Sequence, residues 1–186
     1  VALVWIGSND LWYLYEFGPE PMNAAAEQDD LAAYQQHLTT IVAQLRAQSS
    51  ASVVYRDLAA DPLPHWAPVS DSGDAAVRNG SDVLDQFLAA DTLVIGAPMY
   101  NFSVPSQLKA WIDRVLVAGK TFRYTANGPE GLVRGKRVIV ASARGGFYGA
   151  GTPSAAADFQ EPYLRQVFAM MGIDDVQQYV AATNPE

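Results

Sequence analysis

The stretch APMYNFSVPSQLKAWIDRV (97–115) sets Pro98, Met99, Tyr100, Asn101 and Phe102 directly behind an apolar run and ahead of a helical pattern. Loops are ordinarily small and polar. A loop that keeps a Met, a Tyr and a Phe is either capped by more protein or lies against a flat apolar ligand. A second stretch, SARGGFYG (142–149), brings a cation in Arg144, and in Gly145 and Gly146 a backbone that a ligand can approach closely. Ser8, behind the N-terminal apolar run, adds a hydroxyl. An apolar wall, backbone amides, a cation and a hydroxyl suit a flat heteroaromatic molecule with an anionic tail.

The elements around these stretches must bring them together. VALVWIG (1–7), SVVYRDL (52–58), DTLVIGAPM (91–99), KRVIVASA (136–143) and the weaker DVQQYVAA (175–182) are strand candidates. Apolar runs of this length suit strands buried on both faces. Helical patterns separate them. Leu31, Tyr34, Leu38, Ile41, Val42 and Leu45 recur at three- and four-residue steps. SDVLDQFLAA (81–90) offers Ser81 as N-cap. VPSQLKAWIDRVLVAG (104–119) is expected to stop at Gly119. TPSAAADFQEPYLRQVFAMMG (152–172) is expected to begin at Thr152–Pro153 and stop at Gly172, with Pro162 interrupting it so that the firm part runs from about there. Alternating strands and helices predict an α/β fold with a parallel sheet and helices on both faces. Five strands predict the flavodoxin-like order 2-1-3-4-5, whose ligands sit beyond the carboxyl ends of the strands at the switch point. All three stretches fall on that rim.

Composition narrows the function. A chain of 186 residues is long enough for one domain with a real core, and neither repeats nor a dividing linker appear. The formal charge of −8 argues against non-specific nucleic-acid binding. Without cysteine there is no thiolate nucleophile, disulfide or sulfur ligand. No membrane-length apolar run and no secretory leader pattern appear, so a cytoplasmic protein is the expectation. His37 and His65 lie far apart with no acidic partner nearby, so no metal site is expected.

FMN matches the ligand described by the rim: its ring edge would meet backbone N–H groups, its face the aromatic loop, and its phosphate Ser8. The segments PMYNFSVPSQLKAWIDRV, AGKTFRYTANGPEGLVRGKR and SARGGFYG resemble the FMN-dependent NADH-azoreductases, flavodoxin-like enzymes that also act as NAD(P)H:quinone oxidoreductases. The likeness is close over roughly 90–149, with YRDLAADPLP and VFAMMGIDDV as weaker support. The resemblance implies a homodimer with FMN at each of two sites near the subunit interface. It also implies a ping-pong cycle carrying two electrons from NADH or NADPH through FMN to a quinone or azo compound. It places flavin contacts on Met99, Tyr100, Asn101 and Phe102, and on Ala143, Arg144, Gly145 and Gly146, with Ser8 at the phosphate. No protein acid or base is demanded, because the chemistry belongs to the cofactor; Arg144 with the two glycines is the candidate for stabilising negative charge on the reduced ring.

Three departures stand beside the likeness. Ala143 replaces a residue that is more often Ser or Thr in the family. Behind Ser8 the segment NDLWYLYEFGPEPMNAAAEQDD carries no further serine, and Glu27, Asp29 and Asp30 would oppose a phosphate at the first helix. The sequence ends at ATNPE, where the family usually has one further helix. The plainer interpretations are core packing for Met99, Tyr100 and Phe102, a surface ion pair for Arg144, and a turn at Asn127–Gly128. From other functional classes, a flavodoxin-like FMN electron carrier and a flavin-free interaction domain are the alternatives.

Overall fold

The computed structural model describes residues 2–5, 52–65 and 75–182. Ser8, the pattern from Leu31 to Leu45, and His37 lie outside the described residues. In chain order the elements are β1 (Ala2–Trp5), β2 (Val54–Asp57), α1 (Ala75–Ala89), β3 (Thr92–Gly96), α2 (Ser106–Val115), β4 (Phe122–Thr125), β5 (Gly128–Gly131), β6 (Arg137–Arg144), α3 (Gln160–Met171) and β7 (Asp175–Ala182). A one-turn 3₁₀ helix, Ala155–Ala157, precedes α3.

The alternating α/β pattern produces a parallel sheet. β1 pairs with β2 and with β3, β3 with β6, and β6 with β7, all in parallel. In register, Leu93 stands beside Val138 and Ile95 beside Val140. These four side chains are fully buried and meet Leu108, Trp111, Ile112 and Val115 of α2, and Leu164, Val167, Phe168 and Met171 of α3, in one apolar cluster. Phe87 of α1 meets Trp111 edge-on at 5.9 Å between ring centroids. This cluster fixes the strand register, since a one-residue slip would turn each buried face outward.

The helix ends depart from expectation. α1 begins at Ala75, six residues before Ser81, so Ser81 is a mid-helix residue rather than its N-cap. Cap preference is a weak prior, and the apolar anchors Val83 and Phe87 hold the helix through Gly80. α2 ends at Val115, short of Gly119. Thr121 ends it: its buried hydroxyl donates to Val115 O at 2.8 Å and accepts from Val117 N at 2.9 Å. α3 begins at Gln160 rather than Thr152, because Asp158 Oδ1 accepts the N–H groups of Gln160 and Glu161, both at 3.0 Å. Pro162 then falls in the first turn, where a missing N–H is harmless. The expected stop at Gly172 is found, with φ +90 in the left-handed region.

A feature absent from the sequence expectations is the antiparallel hairpin of β4 and β5. The turn expected near Asn127–Gly128 is there, but its two loop residues are Ala126 and Asn127, and Gly128 pairs with Thr125. Thr125 Oγ1 closes the turn by donating to Gly128 O at 2.7 Å.

Gln178 on β7 stands in register beside the buried Val140, and both polar atoms of its side chain are buried with no hydrogen-bond partner among the described residues. An unpaired buried amide costs stability. Gln178→Leu is expected to raise stability by about 1 kcal/mol, or about 2–4 °C in Tm for a chain of this size. Thermal unfolding of the ligand-free protein checks it; a lower Tm would show that the amide has a partner in solution. No described helix is long and apolar enough to cross a membrane.

Candidate functional site

Parallel pairing brings the carboxyl ends of β3 and β6 side by side, and with them the two stretches singled out above. Two backbone bonds extend the pairing past β3: Ala97 N donates to Ala141 O and Met99 N donates to Ala143 O, each at 2.8 Å. The loop 98–102 and the turn 143–146 therefore share one rim.

The first loop folds tightly. Tyr100 N donates to Ser103 O and Ser103 N to Tyr100 O, both at 3.0 Å. Between them Asn101 has φ +48 and Phe102 φ +69. Two consecutive positive φ values make this a type I′ turn. Asn is at ease there, but the second place favours glycine, and a Phe costs about 1–2 kcal/mol in the left-handed region. Strain of this kind gathers at functional sites. Pro98 and Met99 are buried, Tyr100 is half-buried, and Phe102 is 49 % exposed with its ring edge-on to Tyr148 at 6.0 Å. Core packing therefore accounts for Met99 but not for Phe102, whose strained backbone presents a large apolar side chain to the outside.

On the second loop Ala143 is half-buried, Gly145 is exposed and Gly146 is buried. Arg144 differs from expectation. Its side chain is 2 % exposed and turned inward, with Nη1 donating to Asp158 Oδ2 at 2.7 Å and Nε donating to Ser142 Oγ at 3.1 Å. The charge expected on the rim is neutralised within the fold, because an unpaired buried guanidinium would be far more costly. What residues 144–146 offer a ligand is backbone.

Gln160, Asp158 and Tyr163 were not anticipated from the sequence. Asp158 and Glu161 stand three apart, the spacing of a capping box, and that signal marks where α3 begins. A cavity of about 490 Å³ adjoins the first loop, lined by Tyr100, Asn101, Ser103, Lys109 and Tyr163 among others. Lys109 is paired with Asp113 at 2.6 Å. Burial, helped by the negative charge of Asp113, pushes the Tyr163 hydroxyl up to about 12, so it stays a neutral group at neutral pH.

A parallel α/β sheet with aromatic and glycine loops on its carboxyl rim defines a flavodoxin-like protein. A family model described as the flavodoxin-like fold matches residues 22–186. The chain is 60 % identical over 149 residues to an FMN-dependent NADH:quinone oxidoreductase of Sinorhizobium fredii, covering 74 % of this chain and 72 % of that protein. A protein of the same name from Rhizobium meliloti is 55 % identical over 151 residues, covering 75 % and 73 %. The chain belongs to the family of FMN-dependent NADH:quinone oxidoreductases. Among solved structures, an azoreductase from Bacillus anthracis superimposes with a TM-score of 0.69 at 24 % identity, covering 98 % of this chain and 86 % of that one. An FMN-dependent NADH-azoreductase from the same species, solved in complex with FMN, gives 0.68 at 22 %, covering 97 % and 86 %. These two likenesses establish the fold.

Proposed function

We propose that this protein is an FMN-dependent NADH:quinone oxidoreductase with azoreductase activity, working as a cytoplasmic homodimer. The carrying observation is the bond from Met99 N to Ala143 O, which joins the two stretches proposed to contact flavin into one surface. Two relatives at 55 and 60 % identity, both named FMN-dependent NADH:quinone oxidoreductase, support the quinone-reducing part of it. In this reading the whole chain is one FMN-binding domain, and the described strand pairing is the 2-1-3-4-5 order of the flavodoxin type.

The residues present fit a flat ring. Phe102 offers an exposed aromatic wall, and Gly145 and Gly146 let the backbone come close. Pro98, Met99, Tyr100 and Asn101 hold one edge of the surface, and Ala143 and Arg144, through their backbone, the other. Ser8 remains the candidate for the phosphate. The family's Ser or Thr hydroxyl at 143 is absent, so that position contributes backbone alone. Bound FMN supplies a two-electron relay between NADH or NADPH and a quinone or azo acceptor. The chain's own part is to bind, to orient and to exclude water.

The test is the visible spectrum after FMN addition and desalting, then after NADH under nitrogen. A retained flavin band that bleaches with NADH is expected. A retained band that NADH leaves unchanged would replace this function with electron carriage between protein partners. No retained band would remove the flavin-dependent reading.

A further inference from the structure

We propose that Gln160 is a positioning residue for the flavin surface: its side-chain amide holds the strained 98–103 loop in the shape that meets the ring. This rests on the function proposed above. Gln160 is fully buried at the start of α3, far in sequence from the loop. Its Nε2 donates to Pro98 O at 2.8 Å and Ala97 O at 3.1 Å, and lies 3.4 Å from Ser103 O. One NH₂ group thus grips the loop on both sides of the type I′ turn, at Ala97 and Pro98 before it and at Ser103 on its far end. Its Oε1 accepts from Ser142 Oγ at 2.6 Å and lies 3.4 Å from Arg144 Nη2. The same amide therefore ties the first loop to the end of β6, where the glycine turn begins. Phe159 N adds a further tie, donating to Phe102 O at 3.1 Å.

The chemistry explains the residue type. The loop presents three carbonyl oxygens inward, and the strand presents a hydroxyl and a guanidinium. Only a side chain that donates at one atom and accepts at the other satisfies both, and a buried amide does so without charge. A turn with two residues at positive φ relaxes if its ends are released, and a ligand then binds only the fraction of molecules that keep the shape.

Two variants separate the parts. Gln160→Glu keeps the volume and the acceptor toward Ser142 and Arg144 but removes the donor toward the loop. Gln160→Met keeps the volume and removes both, and serves if the carboxylate variant does not fold. Amide hydrogen exchange is read first on the FMN-free protein, so the result does not depend on the flavin. Faster exchange confined to 98–104, with α2 and the sheet unchanged, is expected. The FMN dissociation constant, followed by flavin fluorescence, is then expected to rise about tenfold, as for a loop competent in about a tenth of molecules. Unchanged exchange in 98–104, or loss of protection spread evenly over the chain, would overturn the inference. So would a loosened loop with unaltered FMN affinity. Wild-type protein that takes up no FMN would instead overturn the proposed function, while the exchange result still decides whether Gln160 holds the loop.

Discussion

Asp158→Ala is expected to destabilise the FMN-free protein by about 3–5 kcal/mol, the range for removing one member of a buried ion pair. The carboxylate serves two purposes. Oδ2 neutralises Arg144, whose side chain is 2 % exposed, across 2.7 Å. Oδ1 caps α3 through the N–H groups of Gln160 and Glu161. The substitution leaves a guanidinium without its counter-charge inside the fold and two helix amides without an acceptor. At about 2–4 °C per kcal/mol for a chain of this size, Tm should fall by about 10 °C. The double variant Arg144→Met, Asp158→Leu separates the charge from the cap. It removes the stranded cation and fills the space with apolar atoms, so it should recover most of the loss. A single variant within about 1 kcal/mol of wild type would show that Arg144 reaches water or another acceptor once Asp158 is gone.

A comparable loss is expected for Gly131→Ala. A Cβ on Gly131 would run into the backbone of Met171 and Gly172. Side chains can turn aside, but here the obstacles are main-chain atoms at the end of α3, so β5 or the helix must move. The crossing is fixed further by Val133 N donating to Met171 O at 2.9 Å. Overpacking usually costs about 1–3 kcal/mol, and a backbone obstacle should reach or exceed the upper end. Gly135→Ala is the control: it has φ +70 but nothing within 4 Å of the new methyl, so it bears only conformational strain of about 1 kcal/mol. Urea unfolding of both variants measures the difference. Equal midpoints would mean that β5 and the end of α3 yield around the new methyl at 131, so that the contact does not demand a glycine there. The contact places the β4–β5 hairpin, on which Tyr124 is 74 % exposed.

The architecture was legible because buried parallel strands announce themselves. The apolar centres of β3 and β6 need no partner information, and their order with the intervening helices dictates a parallel sheet. That order alone placed 98–102 and 143–146 on one rim, and the structure joins them through Met99 and Ala143. The hairpin was less legible: GPEG has no alternating apolar face, and only its turn residues signal it. The helix start at Ala75 was missed, and the expected start at Thr152 was wrong although the firm part expected from about Pro162 is close to Gln160, since several cap-like residues compete and burial chooses among them.

What the sequence by itself determined, then, is the class of fold and the meeting of 98–102 and 143–146 at one rim. The tertiary structure alone decided how those residues are used. The sequence shows Arg144 beside two glycines, which suggests a cation offered to a ligand. Folding brings Asp158 to 2.7 Å from it and turns the charge inward. Likewise nothing local marks Gln160, because its role is defined by carbonyls some sixty residues away in the chain, at Ala97 and Pro98. Periodicity and motifs are local quantities and survive in one dimension. Charge compensation and hydrogen-bond satisfaction depend on which buried groups meet, and only the closed fold determines that.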